Sequence, residues 1–139
     1  MSLVIEMKAI NARKPTKTLI LNTHCVCADN SGAKEVYIIS VFGFKGKKRM
    51  NPKAGIADLV NVVVSKGKPE MRSKIERAVI VRTKKEYRRS DGTRIKFDEN
   101  AVVLVDEKGL PKASEAKGVV AKEVGERWPK VAGIASSVI

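Results

Sequence analysis

Aromatic side chains are scarce in this chain of 139 residues, where Phe, Tyr and Trp together make up 4%. Proteins that bind single-stranded nucleic acid stack successive bases on several exposed rings, so this scarcity argues against that class. The 43% of hydrophobic residues is enough for a core, which disfavours a disordered basic tail. At roughly 100 to 200 residues per domain, the length predicts one domain, with residues 1–17 as an N-terminal extension and 118–139 as a C-terminal helical part.

Cysteine and histidine are also rare. Two Cys and one His exclude a disulfide framework and a structural zinc site with four ligands. Cys25 and Cys27 would share one face of a strand, poorly placed to bond to each other, and we interpret them as reduced thiols of a cytoplasmic protein. His24 and Cys25 would point to opposite faces, which argues against a catalytic pair, and we expect the His24 ring to have a hydrogen-bond partner. The sequence therefore predicts no metal, no cofactor and no enzyme activity.

Long apolar runs are missing as well. No run approaches the ~18 residues that a membrane span needs, and residues 1–10 hold an apolar patch too short for a secretory signal. We therefore expect no membrane partner. Neither Gly46-Lys47 nor Gly67-Lys68 has a glycine five positions before its own glycine, so neither forms a phosphate-binding loop of the nucleotide-hydrolysing kind.

Positive charge is abundant and localised. The net charge is +13, and two segments carry all of it: residues 42–53 hold five basic and no acidic residues, and residues 65–96 hold twelve basic and four acidic ones. A charge run is usually a solvated face, but self-repulsion at this density favours a polyanionic partner. Arginines, which suit bidentate phosphate contact, lie in the same segments. The pattern predicts a surface that binds folded RNA through phosphate and sugar contacts.

Short strands separated by turn residues, with no helical periodicity between them, predict an all-β fold, a small closed barrel. The turn pair Asp91-Gly92 between basic flanks predicts a hairpin or loop arm. In the C-terminal tail we expect Pro129 to separate two short helices, around 123–128 and 131–136. The predicted strands cover residues 17–28, 36–41, 59–65, 77–83 and a pair of short strands at 95–97 and 101–105.

Two aromatic residues leave alternatives open. Tyr87 is the aromatic side chain set among the basic residues of the arm, where it could stack on a base or pack the arm against the barrel. Trp128, beside Pro129, is a local packing anchor or part of a protein contact surface.

Several strings in the chain match one family in order and spacing. They are CADNSGAK at 27–34, KGKPE at 66–70, AVIVR at 78–82, YRRSDG at 87–92 and IKFDENAVVL at 95–104. From about residue 18 to its end, the chain resembles the universal large-subunit ribosomal protein number fourteen. The strings AKE at 121–123 and WPKVA at 128–132 resemble its archaeal and eukaryotic branch.

This resemblance implies a five-stranded β-barrel with a basic β-ribbon arm and a short C-terminal helical region. It also implies a structural constituent of the large ribosomal subunit that binds large-subunit rRNA and contributes to an intersubunit bridge with small-subunit rRNA. The implied protein partners are the third large-subunit protein, a protein of the twenty-four type and a subunit anti-association factor.

RNA contact is implied by the same resemblance at twelve basic positions, and protein contact at two further ones, Trp128 and Lys130. The twelve positions are Lys45, Lys47, Lys48, Arg49, Lys66, Lys68, Arg72, Lys74, Arg82, Arg88, Arg89 and Arg94.

Two departures from the family pattern, Gly118-Val119-Val120-Ala121 and Lys112-Ala113-Ser114-Glu115, predict a different turn before the C-terminal helices.

The alternative is a free RNA-binding factor or an RNA-acting enzyme. An enzyme would need an acid, base or nucleophile near the basic loops. In the arm, Asp91 is the one carboxylate flanked by arginines, and we expect it to cap the turn.

Overall fold

The computed structural model describes residues 17–43, 46, 48–49, 51–89 and 91–139. None of the helices in these ranges is long and apolar enough to cross a membrane. The elements in chain order are β1 (Leu19–Ile20), β2 (His24–Cys27), β3 (Ala33–Val41), β4 (Lys53–Ala54), β5 (Leu59–Gly67), β6 (Ile75–Arg82), β7 (Tyr87–Arg88), β8 (Arg94–Ile95), β9 (Ala101–Val105), β10 (Ala116–Val120), α1 (Lys122–Arg127), α2 (Pro129–Gly133) and β11 (Ala135–Val138).

Five of these strands, β2, β3, β5, β6 and β9, close into a barrel in that order. Their neighbours pair antiparallel, except that β9 pairs with β2 in parallel and so closes the ring. Closure leaves the barrel without open strand edges. The all-β barrel that the sequence predicted is confirmed.

The barrel strands are rich in valine because most of their side chains pack in a core. In β5, Leu59, Val60, Val62 and Val64 are buried, and the later positions alternate inward and outward with the period of two of a strand. All five residues of β9 are buried, so this strand is covered on both faces.

The two cysteines share the inner face of β2, as predicted, and both are free thiols. Burial raises the pKa of Cys25 and Cys27 to about 12, so both are protonated at neutral pH. His24 lies on the outer face, where its Nδ1 is 3.0 Å from Oε1 of Glu35. The expected hydrogen-bond partner of this ring is thus confirmed.

The side chain of Asp29 stabilises the turn that lies within the string CADNSGAK. Its buried carboxylate accepts hydrogen bonds from the backbone and the hydroxyl of Ser31, at 3.2 and 2.6 Å, and from the Cys27 thiol at 3.0 Å. Its second oxygen accepts the backbone N–H of Leu104 in β9 at 3.0 Å. One carboxylate therefore holds the turn after β2 and ties it to the strand that closes the barrel.

Two strand predictions are wrong. The predicted strand 17–28 is interrupted at Leu21 and Asn22, because Asn22 adopts φ 66°, a left-handed conformation that asparagine tolerates. Residues 95–97 and 101–105 do not pair with each other. Ile95 lies opposite Tyr87 across the local turn, whereas β9 fits between β6 and β2.

The C-terminal region agrees with the sequence only in part. Pro129 does separate two short helices, α1 and α2, as expected. The predicted second helix, 131–136, is too long, because the chain from Ala135 forms β11 and pairs in parallel with β10. The open edge of β10 supplies a backbone partner that local sequence does not reveal.

We expect Asp29→Ala to lower the free energy of unfolding by about 3 kcal/mol, because it leaves the buried Leu104 N–H and the Ser31 backbone without an acceptor. Urea denaturation of the purified protein measures this. Asp98→Ala is the matched control, since Asp98 is exposed and the change there should stay within about 0.5 kcal/mol. Equal losses in the two variants would contradict the role of Asp29.

Candidate nucleic-acid interface

The arm is a two-stranded ribbon with one buried and one exposed face. Tyr87 pairs with Ile95, and Arg88 pairs with Arg94 in the same antiparallel register. Tyr87 is 1% exposed, whereas the Arg94 side chain is 62% exposed and Arg88 is also exposed. The ribbon therefore presents two arginines directly opposite each other to the surroundings.

The turn of the ribbon is built as the sequence predicted. Gly92 adopts φ 92°, which glycine accommodates at no steric cost, and the backbone N–H of Thr93 donates to Oδ1 of Asp91 at 2.8 Å. This N–H lowers the pKa of the Asp91 carboxyl below its usual value. Asp91 therefore caps the turn, and the hairpin prediction is confirmed.

Tyr87 anchors the base of the ribbon to helix α1. Its hydroxyl donates to Oε2 of Glu123 at 2.9 Å, and burial together with this carboxylate raises the pKa of the hydroxyl. Of the two alternatives for Tyr87, the structure shows packing, because a buried ring offers no free face to a base.

Arg89 belongs to the same buried network. Its Nε donates to Oε1 of Glu123 at 2.8 Å, and its Nη2 donates to the backbone carbonyl of Ile139 at 2.7 Å. The side chains of Arg89 and Glu123 are only 12% and 6% exposed. Of the adjacent Arg88 and Arg89, the first faces outward and the second joins the arm to the C-terminal segment.

Arg82, at the end of β6, is 7% exposed, and its side chain also forms its contacts within the protein. Its Nη1 donates to the carbonyls of Lys117 and Val119 at 2.9 and 3.0 Å, and its Nη2 is 2.9 Å from Oε1 of Glu99. Between these carbonyls lies Gly118, with φ 78°, where an added Cβ would lie 2.3 Å from Nη1. Position 118 therefore favours glycine, since any other residue would be strained at this φ and would displace the Arg82 guanidinium.

A second basic group lies in the loop between β5 and β6. The backbone N–H of Arg72 donates to the Lys68 carbonyl, that of Ser73 donates to Val64, and the Arg72 Nε donates to the Gly67 carbonyl at 3.2 Å. These bonds order the loop while its cations stay exposed. They are Lys68, Arg72 and Lys74, together with Lys66 near the end of β5, whose Nζ lies 3.5 Å from Oε2 of Glu35.

The two basic groups lie beyond opposite ends of β6. With ~3.3 Å per residue, the eight residues of this strand place its two ends roughly 23 Å apart. One basic group therefore follows each end of a rigid barrel strand.

The remaining predicted residues are more scattered. Lys48 and Arg49 are exposed in a turn, with Arg49 at φ 71°, whereas Lys45 and Lys47 fall outside the described residues. Trp128 is buried and its Nε1 donates to the Ala57 carbonyl at 2.9 Å, which makes it a packing anchor between the helices and the barrel. Lys130 is exposed.

Within the described ranges, no group of three or more His, Cys, Asp or Glu could hold a metal ion.

Sequence reasoning missed two exposed cations, Lys96 and Lys117. They face a cleft that also contains Phe97, Glu99 and the buried Arg82. The cleft is assembled from three separate stretches of the chain, so no local motif marks it.

A closed five-stranded barrel that carries a basic ribbon and a basic loop defines a β-barrel protein that binds polyanions. The model of the family described as "Ribosomal protein L14p/L23e" matches residues 18–139. The chain belongs to this ribosomal protein family, which confirms the resemblance seen in its sequence.

Individual relatives agree with the family model. The chain is 50% identical over 133 residues, 96% of its length and 100% of the relative, to "Large ribosomal subunit protein uL14" of Methanoregula boonei. It is 48% identical to the proteins of the same name from Methanocorpusculum labreanum, over 96% of this chain and 100% of the relative, and from Methanothrix thermoacetophila, over 93% and 98%. The chain is therefore a structural constituent of the large subunit of the cytoplasmic ribosome and not an enzyme.

We expect Arg89→Ala to lower the free energy of unfolding by about 3 to 5 kcal/mol, because it leaves the buried Glu123 carboxylate without its cation. Arg88→Ala is the matched control in the neighbouring position and should change stability by less than about 0.5 kcal/mol. Urea denaturation at pH 7 compares the two variants. A loss in Arg88→Ala as large as that in Arg89→Ala would refute the assignment of Arg89 to the interior.

Proposed function

We propose that the chain binds large-subunit rRNA through its two exposed basic groups, the ribbon arginines Arg88 and Arg94 and the cations of the loop between β5 and β6. The register of the ribbon carries this proposal, because it sets two arginines opposite each other. Like charges in directly opposed positions destabilise a hairpin. Arg94 has a partial partner in Glu86, at 3.4 Å, but a phosphate backbone would neutralise both arginines at once.

The mode of binding follows from the side chains that are exposed. Tyr87 and Trp128 are buried, so they offer no row of rings to a stacked single strand. Exposed lysines and arginines on ordered turns suit contacts to phosphates and 2′-hydroxyls, which read the shape of a folded RNA. The proposed ligand is therefore structured rRNA. Contacts to phosphates and sugars fix the position of the RNA and do not recognise its base sequence.

The twelve positions implied by the resemblance fall into three sets. The ribbon and loop cations, with Lys48 and Arg49, are exposed and form the proposed contact set. Arg82 and Arg89 are engaged within the protein, and we assign them to positioning the cleft and the arm. Lys45 and Lys47 stay predictions from the sequence.

We also propose a protein contact at the C-terminal strand. In β11, Val138 is 48% exposed and the following Ile139 is 52% exposed. Among the described strands, β11 pairs with β10 alone, so its other edge is open. The resemblance implies a bridge to small-subunit rRNA and contacts with the third large-subunit protein, a twenty-four-type protein and an anti-association factor. The open strand edge and the exposed Val138 and Ile139 side chains support a protein partner on this face, with Lys130 near it in sequence.

For RNA binding, we expect Arg88→Ala to lower the salt slope of the binding constant by about one, because one fewer counterion is released when a phosphate contact is lost. Filter binding of the purified protein to deproteinised large-subunit rRNA, over a series of salt concentrations, measures the slope. Lys108→Ala is the control, since Lys108 is exposed but lies outside both basic groups. A slope in Arg88→Ala equal to that of the unaltered protein would exclude the ribbon from the interface.

Sucrose-gradient fractionation of a cell lysate tests the assembly itself. The protein should migrate with large subunits and whole ribosomes and stay there in moderate salt. Recovery in the light fractions alone would instead favour a free RNA-binding factor.

A further inference from the structure

The cleft beside the end of β6 has a volume of about 490 Å³. This lies within the range of about 300 to 1,000 Å³ that is typical of small-ligand sites. It opens between the segment that precedes β9 and strand β10, and Phe97, Lys117 and Gly118 are among its lining residues. Neither the ribbon arginines nor the β5–β6 loop reaches it, so the contacts described above leave it unused.

Arg82 gives the cleft a fixed positive group. Three hydrogen bonds, to Lys117, Val119 and Glu99, hold its guanidinium in place. Its Nε is buried and finds no acceptor among the described residues. The same holds for Thr18 Oγ1 and Arg127 Nε, so this atom alone does not mark a ligand site; the contribution of Arg82 to the cleft is its guanidinium, which is among the lining groups.

The other lining residues indicate which ligand chemistry fits. Lys96 and Lys117 are exposed at the cleft, and neither forms an ion pair with a described residue. Phe97 is half-buried against the core, so part of its ring faces the cleft. Two carboxylates also line the cleft: Glu99 is paired with Arg82, and Asp98 is exposed. With Arg82 and the two lysines, three cations still outnumber them, and cations beside one partly exposed ring match the phosphate and the base face of a single nucleotide.

Gly118 keeps the cleft open. Any side chain there would collide with the Arg82 guanidinium, and φ 78° already disfavours residues other than glycine. The backbone of β10 therefore passes close to the charge without covering it with a side chain.

We propose that this cleft receives one unstacked nucleotide of large-subunit RNA. Lys96 and Lys117 bind its phosphate, its base lies against Phe97, and an acceptor on the base or sugar faces Arg82. This proposal rests on the proposed rRNA binding and adds a contact that depends on an aromatic ring. A water molecule alone would satisfy Arg82 but would give Phe97 and the two lysines no role in binding.

Two variants test the proposal in the rRNA filter-binding assay. Phe97→Leu keeps an apolar side chain but removes the ring, and we expect about a tenfold loss of affinity with an unchanged salt slope, because stacking involves no counterion release. Lys117→Gln should lower the salt slope by about one. Lys108→Gln is the matched control for the loss of one exposed lysine and should leave the slope and the affinity close to those of the unaltered protein.

Ultraviolet crosslinking of the unaltered protein in its rRNA complex gives a readout that requires no variant. Mass spectrometry should find a nucleotide attached to the segment that contains Phe97. Urea denaturation of Phe97→Leu shows whether the variant is folded in the binding assay, and the crosslink decides the question if it is not.

The outcomes separate this proposal from the broader one. If Phe97→Leu and Lys117→Gln bind like the unaltered protein and no crosslink forms at Phe97, the cleft proposal is overturned, whereas rRNA binding stands as long as Arg88→Ala still lowers the slope. If only Lys117→Gln has an effect, a phosphate touches the rim and no base enters, which also overturns it. If the unaltered protein does not bind rRNA, both proposals fail.

Discussion

The parallel pairing of β2 with β9 is the interaction on which the rest of the structure depends, because it closes the barrel. Asp29 stabilises this closure. One of its carboxylate oxygens accepts hydrogen bonds from Ser31 and Cys27, and the other accepts one from the backbone N–H of Leu104. With the barrel closed, its strands have no free edges. The basic loop and the ribbon lie on connections between barrel strands, and the C-terminal segment follows β9.

The basic side chains of the described residues divide into buried, paired arginines and exposed cations. Arg82 and Arg89 are buried and paired with Glu99 and Glu123, so each joins two segments that are distant in sequence. The cations of the ribbon and of the β5–β6 loop remain exposed and largely without carboxylate partners in the described chain. A buried arginine can fix the position of an exposed one. Arg89 does so for its neighbour Arg88, because its ion pair with Glu123 attaches this part of the ribbon to α1.

The sequence predicted those elements that depend on interactions between residues close together in the chain. Valine-rich runs predicted the barrel strands, Asp91-Gly92 predicted the hairpin, and Pro129 predicted the break between the helices. The break at Asn22, whose backbone N–H donates to the Ile38 carbonyl at 2.8 Å, and the pairing of β10 with β11 both involve backbone partners distant in the chain, which no short pattern reports. The same limit applies to the site, because charge counts cannot tell an exposed Arg88 from a buried Arg89, and the cleft around Arg82 exists only after residues 96–99 and 117–119 have come together.

A rigid barrel strand separates the two basic groups that the proposed function assigns to RNA binding. Strand β6 is hydrogen-bonded on both sides, to β5 and β9, so the distance between its ends, roughly 23 Å at ~3.3 Å per residue, is held by the whole barrel. Two flexible basic tails of equal charge would bind RNA as strongly through counterion release but would not set a distance between the segments they touch. If both basic groups bind RNA as proposed, the folded core would convert non-specific attraction into a fixed spatial relation between two pieces of RNA.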